Sequence, residues 1–145
     1  MLSCTEFICA YNELFKFLHR RYGREAVDRL WEGISDEFLE NLRELAARDG
    51  LRGMNEYWSR ALTEEGGDWE IEMSPRHFEI RIRACPSVGK LRRAGHIEPY
   101  ADYCGHCDTL YRRVLEPLGY RYEIEYIDRE KGACRVRISL PEEEA

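Results

Sequence analysis

The sequence predicts an α+β fold: N-terminal helices packed on one face of an antiparallel sheet of about four strands, with one long helix between the strand pairs. Apolar residues recur at three- and four-residue spacing through the first 65 positions and at two-residue spacing through most of the remainder. Gly66-Gly67 marks the change of period. A chain of 145 residues reads as one domain, residues 1–145, with a core of ordinary size. Its helical half is 1–65, and the sheet with a cysteine-containing helix occupies 68–140.

Phe7, Ile8, Tyr11, Leu14, Phe15 and Leu18 outline a first helix, which Gly23 stops. Ala26, Val27, Leu30, Trp31 and Ile34 outline a second. Ser35, followed by Asp36 and Glu37, has the form of an N-cap with acids placed for the helix dipole. It would open a third helix carrying Phe38, Leu39, Leu42, Leu45 and Ala46, ended near Asp49-Gly50. Met54, Tyr57, Trp58, Ala61 and Leu62 make a fourth.

Trp69, Ile71 and Met73 then alternate with Glu70 and Glu72, and Ser74-Pro75 turns the chain. Phe78, Ile80, Ile82 and Ala84 alternate with Glu79, Arg81 and Arg83, which completes an antiparallel pair. A helix follows with Pro99 suited to its first turn. Its apolar positions are Tyr103, Cys107, Leu110, Tyr111, Val114, Leu115 and Leu118, and Pro117 with Gly119 ends it. Tyr120, Tyr122, Ile124 and Tyr126 mark a third strand, and Cys134, Val136, Ile138 and Leu140 a fourth. The loop from Asp128 to Gly132 joins them as a hairpin. Pro141 and an acidic tail, Glu142 to Glu144, follow. The second face of the sheet is charged and reads as a solvated surface of cross-strand ion pairs.

Composition narrows the function. Hydrophobic residues are 43% and charged residues 34%, as in a globular domain rather than a disordered chain. A formal net charge of −6 gives no bulk attraction to nucleic acid. The N-terminus has no basic start followed by an apolar run, so no signal peptide is expected. No apolar run approaches the roughly 20 residues of a membrane helix. A cytoplasmic location without nucleic-acid or membrane partners is expected. There the six cysteines read as thiols or metal ligands rather than disulfides. The charged sheet face and edge strands permit a homodimer.

Cys104-Gly105-His106-Cys107 is the densest chemical feature. Positions i and i+3 share a helix face, so Cys104 and Cys107 point one way. Cys85 follows the second strand and Cys134 lies in the last, so four sulfurs and a histidine could reach one point. Cys4 and Cys9 read as plain thiols, His19 as a solvated helix residue and His77 as part of the polar strand face. The tetrapeptide is also that of protein disulfide isomerases. Here it follows Asp102-Tyr103 rather than a central strand, with too little sheet after it for a thioredoxin fold.

Redox cycling of the dithiol without that fold stays open, beside two other chemistries. Cys85, Cys104, Cys107 and Cys134 could hold zinc, or three of them with His106 or His96 could do so and leave a position for water. The same thiolates suit an iron–sulfur cluster. Alternation places Cys134 on the apolar face of its strand and turns Cys85 away from the apolar face of its own. Alternatively a thiol is a nucleophile. Cys104 sits early in a helix, where the dipole lowers its pKa; His106 or His96 could be the base, oriented by Asp102 or Glu98. The bland alternative for Cys107 is a small buried core residue.

Cys85-Pro86, Tyr100-Ala-Asp-Tyr-Cys104-Gly-His-Cys107 with Leu110-Tyr111, and Gly132-Ala-Cys134-Arg-Val-Arg-Ile138 resemble the L-2-amino-thiazoline-4-carboxylic acid hydrolase family. The resemblance covers about the last 70 residues and the helical half only in general character. More distantly, the order is similar to the 4-vinyl reductase-type ligand-binding domain, where cysteines near a final hairpin hold zinc in some sensors. The first resemblance implies hydrolysis of a C–N bond in a cyclic amidine-type acid. A cysteine-held zinc would supply hydroxide, or a cysteine thiolate would attack the ring carbon while a histidine protonates the leaving nitrogen. Catalytic candidates are then Cys104, Cys107, His106 and His96. Arg92 or Arg93 would pair with the substrate carboxylate, and Tyr100, Tyr103 and Tyr111 would line the pocket. The second resemblance implies a non-enzymatic ligand-binding or sensory domain with a structural zinc or iron–sulfur centre.

Overall fold

The elements run, in a computed structural model that describes the backbone of residues 4–141 and the side chains of 6–141, as helices first and sheet second. They are α1 (Cys4–Tyr22), α2 (Arg24–Phe38), α3 (Glu40–Asp49) and α4 (Leu51–Glu65), then β1 (Asp68–Met73) and β2 (His77–Ala84). The connection to the last strands carries α5 (Pro86–Arg93), α6 (Gly105–Leu115) and a 3-10 turn at Glu116–Leu118. β3 (Arg121–Asp128) and β4 (Ala133–Ser139) close the chain as a hairpin. The Cys4 side chain and the acidic tail lie outside the described residues.

The four strands form one antiparallel sheet in the order β1-β2-β4-β3. Ile82 stands opposite Trp69 and Cys134, Ile80 opposite Ile71 and Val136, and Phe78 opposite Met73 and Ile138. Tyr122, Ile124 and Tyr126 oppose Ile138, Val136 and Cys134. The period-two residues therefore share one face, and the helices cover it. α4 lies over β1 and β2 and α6 over β3; α3 packs on α4, α2 on α6, and α1 spans α2 and α5.

The core forms where these layers meet. Met54, Trp58 and Leu62 of α4 and Leu110, Val114 and Leu115 of α6 join Phe78, Ile80, Tyr122, Val136 and Ile138 of the sheet. Each large side chain so buried contributes on the order of 1.5–3 kcal/mol. The opposite face carries ion pairs: Glu79 meets Arg81, Arg135 and Arg137, Glu72 meets Arg81, and Asp68 meets Arg83. Exposed pairs of this kind are worth roughly 0–1 kcal/mol each, so the buried face decides the fold.

Three local expectations change. Ser35 does not cap a helix. It lies fully buried inside α2, and its hydroxyl donates to the Leu110 carbonyl of α6 at 2.7 Å. The interhelix hydrogen bond outweighs the local capping pattern, and α3 starts five residues later at Glu40. Pro99 does not open α6. Asn12, fully buried on α1, accepts the Tyr100 N–H at 2.7 Å and donates to the Glu98 carbonyl at 3.0 Å. This clamp holds the residues around Pro99 out of a helix, and α6 begins at Gly105. The proline that does open a helix is Pro86, at the start of α5, which apolar spacing did not reveal. No helix among the described residues is long and apolar enough to cross a membrane.

Candidate functional site

Three junctions position the cysteines. Cys85 ends the run of β2 and precedes the first turn of α5, with its N–H donating to the Lys131 carbonyl in the β3–β4 hairpin at 3.3 Å. Gly132 lets this approach happen: its φ is +66°, and a Cβ there would strike the Cβ of Cys85. Cys134 stands on the helix-facing side of β4, opposite Ile82 and Tyr126. Cys104 immediately precedes α6, where its carbonyl accepts the Tyr126 hydroxyl at 2.9 Å. Cys107 lies in the first turn of α6.

The four sulfurs share one electrostatic neighbourhood. Burial is the largest effect on each, and neighbouring thiols add to it at Cys85, Cys104 and Cys134. The Cys104 thiol is pushed up to about 12 by burial and then by Cys107 and Cys85. Cys134 is pushed up to about 12 by burial and by Cys107, Cys85 and Cys104. Cys107 reaches about 12 through burial, Glu65 and Asp108. Cys85 is raised by burial and Cys107, against the pull of the Val88 and Ser87 amides. At neutral pH these are thiols, not thiolates. The early-helix position of Cys104 does not overcome its desolvation. All four, and Cys9, are free of disulfides.

His106 is held in one tautomer. Its Nδ1 faces the Tyr103 carbonyl, which can only accept, so Nδ1 carries the proton. Nε2 is then the acceptor, 3.6 Å from the Cys107 sulfur. Burial lowers the His106 pKa, so the pair rests as neutral thiol and neutral imidazole. His96 is not brought to this group. It is exposed in the segment between α5 and α6, with Nδ1 2.6 Å from the Ala94 carbonyl.

A cavity of about 290 Å³ opens beside Cys104, and Arg92, Tyr100, Tyr103 and Arg129 line it with Val88 and Leu91. The Tyr100 hydroxyl is taken by His19 Nδ1 at 2.8 Å, so His19 braces a tyrosine rather than standing free in solvent. Arg129 is fixed from two sides: it pairs with Asp102 at 3.0 Å and lies over the Tyr126 ring at 4.2 Å. Asp102 also pairs with Arg24 at 2.8 Å. Arg92 makes no hydrogen bond or ion pair among the described residues. Arg93 does not line this cavity. Tyr111 does not reach it; it is packed between Trp58 and Tyr122 under α4.

Asn12 and Arg129 were not singled out by their pattern, and Asp102, expected to orient a base histidine, instead pairs with Arg24 and Arg129 while the Tyr103 carbonyl holds His106. Asn12 carried a signal: it is a polar residue on the buried stripe between Ile8 and Phe15. Gly105 is required because a Cβ there would collide with the Asp102 carboxylate. Arg129 and Asp102 are 27 residues apart, so only the hairpin's return over α6 pairs them.

The four thiols are near one another, yet among the described residues no group of three or more His, Cys, Asp or Glu side chains is arranged to hold a metal ion. Comparison with protein-family models, curated proteins and solved structures gives no match for this chain.

Proposed function

We propose that the chain is a small-molecule hydrolase that opens a C–N bond in a cyclic amidine-type acid held in the cavity beside Cys104. One observation carries the reading: a single cavity gathers an unpaired arginine, an anchored arginine, two tyrosine rings and a cysteine sulfur. Arg92 and Arg129 can take a carboxylate in paired hydrogen bonds, in a wall that also carries Glu98 and Glu130. The rings of Tyr100 and Tyr103 suit a planar heterocycle.

The protonated state of Cys104 shapes the chemistry. An amidine in its free-base form is itself a proton acceptor. As the Cys104 sulfur bonds to the amidine carbon, the thiol proton passes to an amidine nitrogen and the C=N bond becomes single. With the thiol proton on the ring nitrogen, the exocyclic amino group passes it a second proton as the ring C–N bond breaks, so that a neutral amine leaves and a C=NH bond forms on the sulfur-bound carbon. Water adds to the sulfur-bound carbon and the thiol leaves, which regenerates Cys104. Arg92 and Arg129 hold the carboxylate throughout.

The test is turnover of 2-amino-thiazoline-4-carboxylate by the intact chain, followed by product mass. Cys104→Ala is expected to abolish turnover, and Arg92→Ala to raise KM by about tenfold with a smaller change in kcat. Full activity in Cys104→Ala would end the covalent scheme.

A second reading is a ligand-binding domain whose cysteines hold a metal. The repulsion that neighbouring thiolates exert on Cys85, Cys104 and Cys134 supports it, since a bound dication reverses it. Metal analysis of protein purified without oxygen separates the two. About one zinc per chain with four protected thiols, and no turnover, would move the cysteines to a structural role.

A further inference from the structure

Behind Tyr103 lies a second cavity, of about 190 Å³, bounded by α1, α2, α4 and α6. Tyr103 is the one residue lining both cavities. The wall is largely aromatic, with Tyr11, Phe15, Trp31 and Tyr57 contributing rings. Phe7 and Phe38 also line it, although their side chains are 49% and 71% exposed. Two phenylalanines held partly in water beside an aromatic hollow are unfavourable unless something covers them.

His106 is used at both ring nitrogens, whereas the Trp31 Nε1–H is buried without a partner. Glu65 is the only charged side chain lining the cavity among the described residues, and it makes no hydrogen bond or ion pair there. Lys90 attracts it from beyond ion-pairing distance, which leaves its desolvation uncompensated.

We propose that this cavity is a binding site for a small organic cation, an apolar body of about one aromatic ring bearing a protonated amine. The volume sets the size: an apolar cavity of about 150 Å³ takes benzene, so about 190 Å³ leaves room for a short side chain. The rings enclose the apolar body and present their negative faces to the ammonium. Glu65 supplies the opposite charge and the hydrogen-bond acceptor. A carboxylate-bearing ligand is repelled here. The site does not depend on the reaction at Cys104.

The test is calorimetric titration of the full chain with 2-phenylethylammonium, 2-phenylethanol and 3-phenylpropionate, three probes of similar shape and different charge. The amine is expected to saturate one site per chain and to bind at least about tenfold more tightly than the alcohol, with the anion weakest. Glu65→Gln is expected to remove the preference for the amine while alcohol binding persists. Ala61→Trp, which fills the cavity, is expected to abolish both, with far-UV circular dichroism confirming that each variant folds. Equal affinity for amine and alcohol, or a preference that survives Glu65→Gln, overturns the assignment. Absence of saturable binding by any probe overturns it as well.

Discussion

Desolvation governs the chemistry of single residues at this site. Cys104, Cys107 and Cys134 gain no cation close enough to offset burial, and each is pushed up to about 12. Alkylation by iodoacetamide at pH 7 is therefore expected to be slow at all three, by mass spectrometry of the modified peptides. One rapidly labelled site among them would contradict the protonated state. The same shift predicts alkaline sensitivity. The unfolded chain loses its thiol protons near 9, while the folded chain holds them to about 12. Their contribution is complete below the unfolded value and is lost as pH rises through the folded one. The urea midpoint should fall between about pH 9 and about pH 12, and serine at all three positions should flatten that slope. A slope unchanged by those substitutions would assign it to the tyrosines.

Asn12 acts at the same scale through two backbone groups. Asn12→Leu leaves the Tyr100 N–H and the Glu98 carbonyl without partners. The expected cost is roughly 2–5 kcal/mol, from about 1–3 kcal/mol per unsatisfied buried group. Urea unfolding measures it. A loss below about 0.5 kcal/mol would mean the Pro99 segment does not rely on the clamp.

Between elements, close approach and interhelix hydrogen bonding replace the local capping rules. Gly53 is buried where α4 crosses α3, and a Cβ there would meet the Leu45 carbonyl. The obstacle is backbone, which cannot rotate away as a side chain tip can. Gly53→Ala is expected to lower Tm by about 8 °C or more despite alanine's better helix propensity. An unchanged Tm would show that α3 and α4 can slide apart freely. Ser35→Ala removes the buried hydrogen bond between α2 and α6, leaving the exposed Arg113–Asp36 pair as the polar link between them. It is expected to cost about 1–3 kcal/mol by chemical denaturation.

Across the whole molecule, the helical half depends on the sheet half. α2 packs on α6, which follows β2 in the chain, and α4 covers β1 and β2. A fragment ending at Gly66 would expose Trp31, Met54 and Trp58 together, all buried in the full chain. It is expected to lack a cooperative thermal transition by circular dichroism. A sharp transition in that fragment would make the first four helices a separate domain.

The sequence by itself determined the class of fold. The shift from helical to alternating spacing at Gly66-Gly67 placed the boundary of the two halves, because burial on one face imposes its own period on each kind of element. It also singled out Cys85, Cys104, Cys107 and Cys134 as candidates, since their type and their places at strand and helix ends were visible. The tertiary structure decided what surrounds them. The clamp from Asn12 reaches 88 residues along the chain to Tyr100, and Arg129 reaches 27 residues back to Asp102. Neither pairing leaves a local pattern, because it depends on where distant elements cross. The protonation of the thiols was equally out of reach of spacing. A helix start lowers a thiol's pKa while burial raises it, and only the packed structure shows that burial is the larger effect.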